Sequence, residues 1–290
     1  MIIGLTGASG FLGRSLSRTL TARGHTVIDW RPVRLGDHDG TVDFAKRCEA
    51  IVHTALDRGG KSFMAEPADP IGYFQTNVMG SLELIEAAAR HDVRRFVFVS
   101  SGAVHERVSP HLGAGQPLDE TNPLWPASLY GSYKASVETL IHAYGHSGRL
   151  SCCTIRPTSI YGVDDPLSNS KWFSLIRDVV DGKSVVPTGG SKSVHVDDVA
   201  GAVALVIGTN GGVDGQTYNC CDRMISDHEV ATIAKTMVSS SSVIDGTPKA
   251  AKHAIDTSKI RKLGMEFGGI NRLESTIASI AAQIREIAGS

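Results

Sequence analysis

Short apolar runs alternate with longer amphipathic stretches through roughly the first 160 residues. Ile2–Thr6, Thr26–Trp30, Ala50–Thr54, Phe96–Ser100 and Cys152–Arg156 read as strands, being brief, apolar and flanked by turn residues. An i, i+3, i+4 apolar spacing marks helices at Phe11–Arg23, Gln75–His91 and Leu129–Tyr144. In the second, Val78, Leu82, Leu84, Ile85 and Ala88 make one stripe, and Arg90 with His91 suits the negative end of a helix. Alternation of this kind predicts a parallel sheet covered by helices on both faces. Between Val42 and Ala50 there is room only for a short or degenerate helix.

After Arg156 the texture changes. Pro157, Tyr161-Gly162 and Pro166 interrupt the pattern before a helical Lys171–Asp181, then Val185-Val186-Pro187 and a strand at Ser193–Val196. A helix over Asp197–Ile207, a strand over Thr217–Cys220 and two late helices complete the chain, with no 20–50-residue repeat. The expected organisation is a core over residues 1–160 and a smaller α/β lobe over 161–290 that returns some segments to the core.

The 290 residues are 41% hydrophobic and 20% charged with a net charge of −1, which fits a soluble enzyme and excludes disorder. Charges of both signs are interspersed, so no nucleic-acid or anionic-membrane partner is expected. No apolar run approaches 18 residues and no charged leader precedes Ile2, so the expected location is cytoplasmic. The five cysteines (Cys48, Cys152, Cys153, Cys220, Cys221) lack CxxC spacing, so they read as inert thiols and no metal site is expected.

Two stretches carry chemistry. IIGLTGASGFLG sets Gly7, Gly10 and Gly13 after a strand and at the head of a helix. Such a turn lets backbone approach a pyrophosphate, whose charge then rests on the helix N-terminus. In LYGSYKAS (129–136), Tyr130 and Lys134 stand at i and i+4 on one helix face, whereas Tyr133 points elsewhere as packing or a pocket wall.

TGASGFLG with YGSYK resembles the short-chain dehydrogenase/reductase superfamily. IVHTA (51–55), NVMGSLELIEAA (77–88), FVFVSSGAVHE (96–106), CTIRPTSIYG (153–162), VHVDDVA (194–200) and DTSKIRKLG (256–264) resemble, in order, signatures of its extended branch, the NAD-dependent epimerase/dehydratase family. The resemblance implies an α/β Rossmann-type doubly wound parallel sheet with a smaller C-terminal α/β substrate lobe. It also implies a nicotinamide cofactor held by Gly7, Ser9, Gly10, Phe11, Leu12, Gly13, Thr54, Ala55, Tyr130, Lys134 and Pro157, with Asp43-Phe44 at the adenine. Arg31, directly after the second strand, and Arg34 favour NADP, because a guanidinium suits a 2′-phosphate. Asp29 one register earlier would favour NAD.

In the same register Tyr130 is the general acid/base. A free phenol, with a pKa of about 10, needs help to accept a proton at neutral pH, and Lys134 is the expected cation. Ser101 (or Ser100 one place earlier) would bind the substrate oxygen, and Asn77 would link Lys134 to solvent through a water. His105, Arg156 and Tyr161 join Ser101 and Tyr130 as candidate substrate contacts. Gly102 and Ala103 stand where a dehydratase would carry acids. The arginine that many nucleotide-sugar enzymes place before V-H-V-D-D is absent from GGSKSVHV, leaving Arg156, Arg177, Lys171 or Lys192 to take an anion. Three readings follow: a sugar or nucleotide-sugar epimerase, a simple NADP-dependent reductase of another alcohol, or a cofactor-binding regulator without turnover. The resemblance further implies a homodimer through the Gln75–His91 and Leu129–Tyr144 helices.

Overall fold

Six strands form one parallel sheet in the computed structural model, which describes residues 1–58, 65–113 and 115–289. They are β1 (Ile2–Thr6), β2 (Thr26–Asp29), β3 (Ala50–His53), β4 (Arg95–Val99), β5 (Cys152–Pro157) and β8 (Gln216–Cys220). They line up in the order β2-β1-β3-β4-β5-β8. Every neighbouring pair is parallel, so all six C-terminal ends lie along one edge. The chain leaves β1 to one side for β2 and returns to the other side for β3, which opens a crevice between the ends of β1 and β3.

Alternation along the strands builds two cores. Ile3, Leu5, Val52, Val97, Val99 and Ile155 face α1 (Phe11–Ala22) and α7 (Val196–Gly208). Ile51, Phe96, Phe98 and Cys152 face α2 (His38–Lys46), α4 (Gly80–Arg90) and α5 (Leu129–His146). The helix expected to be degenerate is a nine-residue one, because it starts earlier, at His38, where the Asp37 carboxylate accepts the Gly40 N–H at 3.1 Å. It packs so close to β1 that a Cβ on Gly4 would stand 2.5 Å from the Phe44 ring.

The helix expected at Gln75–His91 also begins earlier. α3 (Pro70–Phe74), capped by Asp69, runs through one π-helical turn (Gln75–Met79) directly into α4. Asn77 sits fully buried in that wide turn.

The lobe holds a second sheet that the hydrophobic pattern only partly foretold. β6 (Ser159–Tyr161) pairs in parallel with β7 (Gly190–His195), which pairs antiparallel with β9 (Arg223–Ser226). The strand expected at Ser193–Val196 is β7, displaced toward the glycines, and Val185 makes a single bridge to Ile244. α6 (Phe173–Val180), α8 (Asp227–Val238) and α10 (Gly269–Gly289) cover one face of this sheet around Tyr161, Ile176, Ile225 and Leu273. The short α9 (Ser258–Arg261) lies beside β8. No helix among the described residues is long and apolar enough to cross a membrane.

Candidate active site

The glycine turn sits at the C-terminal end of β1. Gly7 adopts φ +75°, a conformation that favours glycine, and its amide neighbourhood is closed by Thr54, whose Oγ1 donates to Thr6 O at 2.6 Å. A Cβ on Gly13 would stand 2.1 Å from Gly7 O, so only glycine lets α1 come this close to β1. Gly10 caps α1 without a side chain, which leaves the first-turn amides free of any side-chain acceptor from the cap. Ser9 and Gly10 are exposed, while Phe11 and Leu12 are half-buried beside them.

The other candidates for the cofactor line the same sheet edge. Thr54 and Ala55 follow β3, and Pro157 closes β5. Arg31 stands exposed beyond β2 and pairs with Asp29, which accepts its Nε at 2.5 Å and its backbone N–H at 3.0 Å. Asp29 is therefore the counter-ion of Arg31, and the two residues weighed against each other in the sequence form one unit. Arg34 and Asp43 are exposed. Phe44 departs from the expectation: its side chain is fully buried against Trp30, with ring centroids 5.0 Å apart, because α2 presents that face to β1.

Ser101, Tyr130 and Lys134 come together beyond β4. The Ser128 hydroxyl accepts the Gly131 N–H at 3.0 Å and so starts α5 one turn ahead of Lys134. The Ser101 hydroxyl stands beside the Tyr130 phenol, close enough to act on its titration. Ser100 is buried with no partner for its Oγ among the described residues, so Ser101 is the serine that faces Tyr130. Lys134 Nζ donates to Val99 O at 2.8 Å and lies 5.8 Å from the centre of the Tyr130 ring.

Electrostatics correct one expectation. Burial raises the Tyr130 phenol above its ordinary value, a shift that the Ser101 hydrogen bond opposes and the Glu106 carboxylate reinforces. Lys134 does not pull it down in the protein alone, because burial lowers the ammonium itself to about 7 despite the nearby Glu138 carboxylate. Near neutrality the lysine is poised between its two forms.

A buried polar chain that the sequence did not reveal ties the glycine turn to the π-helical turn at Asn77. Thr6 Oγ1 accepts the N–H groups of Thr54 and Ala55, each at 3.0 Å, so its own hydrogen goes to His53 Nδ1 at 2.8 Å. His53 must then carry its proton on Nε2 and donate to Ser81 Oγ at 2.9 Å, and Ser81 donates to Asn77 O. Burial lowers His53 to about 3, so it stays neutral. The H-x-A pattern marked His53, but nothing in the sequence named its partners.

Four residues turn away from their expected tasks. The Asn77 amide exchanges hydrogen bonds with the backbone of Asp57, both at 2.9 Å, and donates to Tyr73 O at 3.0 Å, so it fixes the segment after β3 rather than reaching toward Lys134. Arg156, expected against substrate, is buried in a bidentate pair with Glu138 at 3.1 and 2.6 Å. Its Nη1 donates to His105 Nε2 at 2.8 Å, while His105 Nδ1 donates to Pro123 O at 3.1 Å, so both ring nitrogens are used. Burial lowers His105 to about 4. Tyr161 is fully buried between Trp172 and His195 in the core of the lobe.

Comparison with known proteins gives the family and the fold. The sequence model of the NAD dependent epimerase/dehydratase family matches residues 3–221. UDP-glucose 4-epimerase of Mycolicibacterium smegmatis is 28% identical over 244 residues, 74% of this chain and 75% of the relative. The crystal structure of Thermus thermophilus UDP-glucose 4-epimerase in complex with NAD superposes with a TM-score of 0.76 at 24% identity, covering 98% of this chain and 99% of that one. RMD from Pseudomonas aeruginosa, complexed with NADPH, gives 0.78 at 19% identity and 99% coverage of both chains.

Proposed function

The chain belongs to the NAD-dependent epimerase/dehydratase family of extended short-chain dehydrogenases/reductases and is an enzyme, and from that premise we propose that it exchanges hydride with a secondary alcohol or ketone carbon of a sugar or nucleotide-sugar-like substrate. The observation that carries the reading is the Ser101–Tyr130 hydroxyl pair standing beside Lys134 at the C-terminal ends of β4 and β5. Ser101 would hold the substrate oxygen and Tyr130 would exchange a proton with it. The glycine turn fits a dinucleotide, since a Cβ on Gly7 or Gly13 would intrude on the turn and the head of α1 offers amides that no cap side chain engages. When bound there, the nicotinamide supplies the hydride donor or acceptor. The positive charge of the oxidised ring would itself lower Tyr130, and Lys134 in its ammonium form would add to that pull.

NADP is the favoured form. Arg31 presents an exposed guanidinium at the end of β2, and Asp29, the residue that would hold an NAD ribose, is committed to that guanidinium. Titration should show tighter NADP binding in the wild type and a loss of the preference in Arg31→Ala; a clear NAD preference in the wild type would overturn it. Tyr130→Phe should abolish hydride transfer, by about 10²- to 10⁴-fold, and leave cofactor affinity intact. Unchanged turnover would overturn the catalytic assignment. Nicotinamide that survives dialysis of the purified protein would favour an epimerase over a dehydrogenase.

A further inference from the structure

Most arginines that the fold draws inward meet a carboxylate. Arg156 pairs with Glu138, Arg95 with Asp214, Arg223 with Glu229, and Arg272 with Asp197 and Asp198. Lys171 differs. Among the described residues its ammonium reaches no carboxylate and donates instead to three hydroxyls, Ser159 and Ser191 Oγ at 2.8 Å and Ser193 Oγ at 2.9 Å. Strand register produces the arrangement: Ser159 lies opposite Ser193 across β6 and β7, and Ser191 precedes Ser193 by two, so all three share one face. The Trp172 ring lies 4.5 Å from the ammonium, and its Nε1 donates to Asp227 at 2.9 Å.

The three ammonium hydrogens are all engaged, so each serine must direct its own hydrogen elsewhere. That of Ser193 goes to the Ser191 carbonyl at 3.1 Å, which leaves Ser193 Oγ to accept the hydrogen of Ser191, also at 3.1 Å. Ser159, which is exposed, has no acceptor for its hydrogen among the described residues. A positive charge thus stands behind an outward-facing hydroxyl donor. Burial lowers Lys171 to about 8, against the pull of Asp227, so the cation is short of compensation. The cluster also adjoins the catalytic wall. Ser159 follows Thr158, whose Cγ2 would stand 3.4 Å from a Cβ on Gly102, the residue after Ser101.

We infer that Lys171, acting through the outward-facing Ser159 hydroxyl, forms a carboxylate-binding site, and that the substrate carries a carboxylate which anchors there while one of its hydroxyls reaches Ser101 and Tyr130. The second half rests on the acid/base reading of Tyr130. Charge count selects the ligand. One ammonium and one neutral hydroxyl donor match the single charge of a carboxylate, whereas a diphosphate asks for a second cation on the same face. Lys192, between Ser191 and Ser193 on β7, projects from the opposite face.

Calorimetric titration of the full chain with D-glucuronate, D-glucose and UDP, at saturating NADP, tests the site. Glucuronate should bind, and Lys171→Met should weaken it by about tenfold or more, with Ser159→Ala weakening it by about threefold. Glucose binding and the melting temperature should be the same in all three proteins. Wild-type affinity for glucuronate should also fall as pH rises past the point where Lys171 loses its proton. The inference is overturned if glucuronate does not bind, if it binds Lys171→Met as it binds wild type, or if UDP rather than glucuronate is the ligand lost. Ser159 is exposed, so its alanine variant keeps the test open should Lys171→Met fail to fold. Turnover by Tyr130→Phe at the wild-type rate would sink the acid/base reading and leave the titration result standing.

Discussion

Two clusters on one helix face treat charge in opposite ways. Tyr130, Lys134 and Glu138 follow one another along α5 at four-residue spacing. At Glu138 the fold answers the charge with partners: Arg156 donates to both carboxylate oxygens, His105 accepts one Nη1 hydrogen of that guanidinium, and Pro123 takes the imidazole N–H. One turn earlier Lys134 has, among the described residues, a backbone carbonyl and aromatic faces, at 4.8 Å for Phe98 and 4.9 Å for Tyr133. The closed cluster is architecture. The open one retains electrostatic work for a ligand to complete.

That contrast can be broken most severely at the closed end. Arg156→Met leaves Glu138 buried and unpaired, and unfolding titration should show a loss of about 3–5 kcal/mol. Replacing both partners, as Glu138→Gln with Arg156→Met, should recover part of that loss, because no buried charge remains. Equal losses in the single and double variants would mean that the pair is not the closed unit described.

Lys134→Met should behave in the reverse sense. Hydride transfer should fall by about 10²-fold, equivalent to about 2.7 kcal/mol, while the melting temperature holds or rises, since a buried cation without a carboxylate partner has been removed. A drop in stability with activity preserved would place Lys134 among the structural residues.

Acid gives the smallest effect. His53 and His105 are held neutral, at about 3 and about 4 against an ordinary 6.5. Between the folded and unfolded values the unfolded chain binds more protons, so stability is full above pH 6.5 and is lost as pH falls below it. Each histidine should remove about 1.3 kcal/mol between pH 7 and pH 5.5. Urea unfolding across that interval checks it, and a flat profile would show that neither ring is sequestered.

Legibility in the sequence followed the range of the interactions. The strands of the large sheet, the glycine turn and the Tyr130–Lys134 spacing depend on neighbours within a turn or two, and all appear where expected. β6 and β9 did not, because Ser159–Tyr161 and Arg223–Ser226 are short and half polar and exist only through pairing with β7. Arg156 and Tyr161 looked like substrate contacts because the sequence shows a cation and a phenol but not what buries them. Glu138, the partner that retires Arg156, stands 18 positions earlier, on a helix rather than a strand. His105 looked like a substrate contact for the same reason, and its position is set by Arg156 and by Pro123 on the far side of a loop.

The π-helical turn at Gln75–Met79 sets an angular phase. A wide turn holds one residue more than an α-helical turn, so it rotates everything before it by about 100° relative to everything after. Tyr73 faces the core and Asn77 reaches Asp57 because of that offset, while Leu84 and Ile85 keep their places under the sheet. Deleting a single residue between 75 and 79 would straighten the helix into one period. The apolar stripe of α4 would survive unchanged, yet the clasp on the segment after β3 would be wound away from it. In this protein, then, one surplus residue separates a helix that merely packs from a helix that also aims.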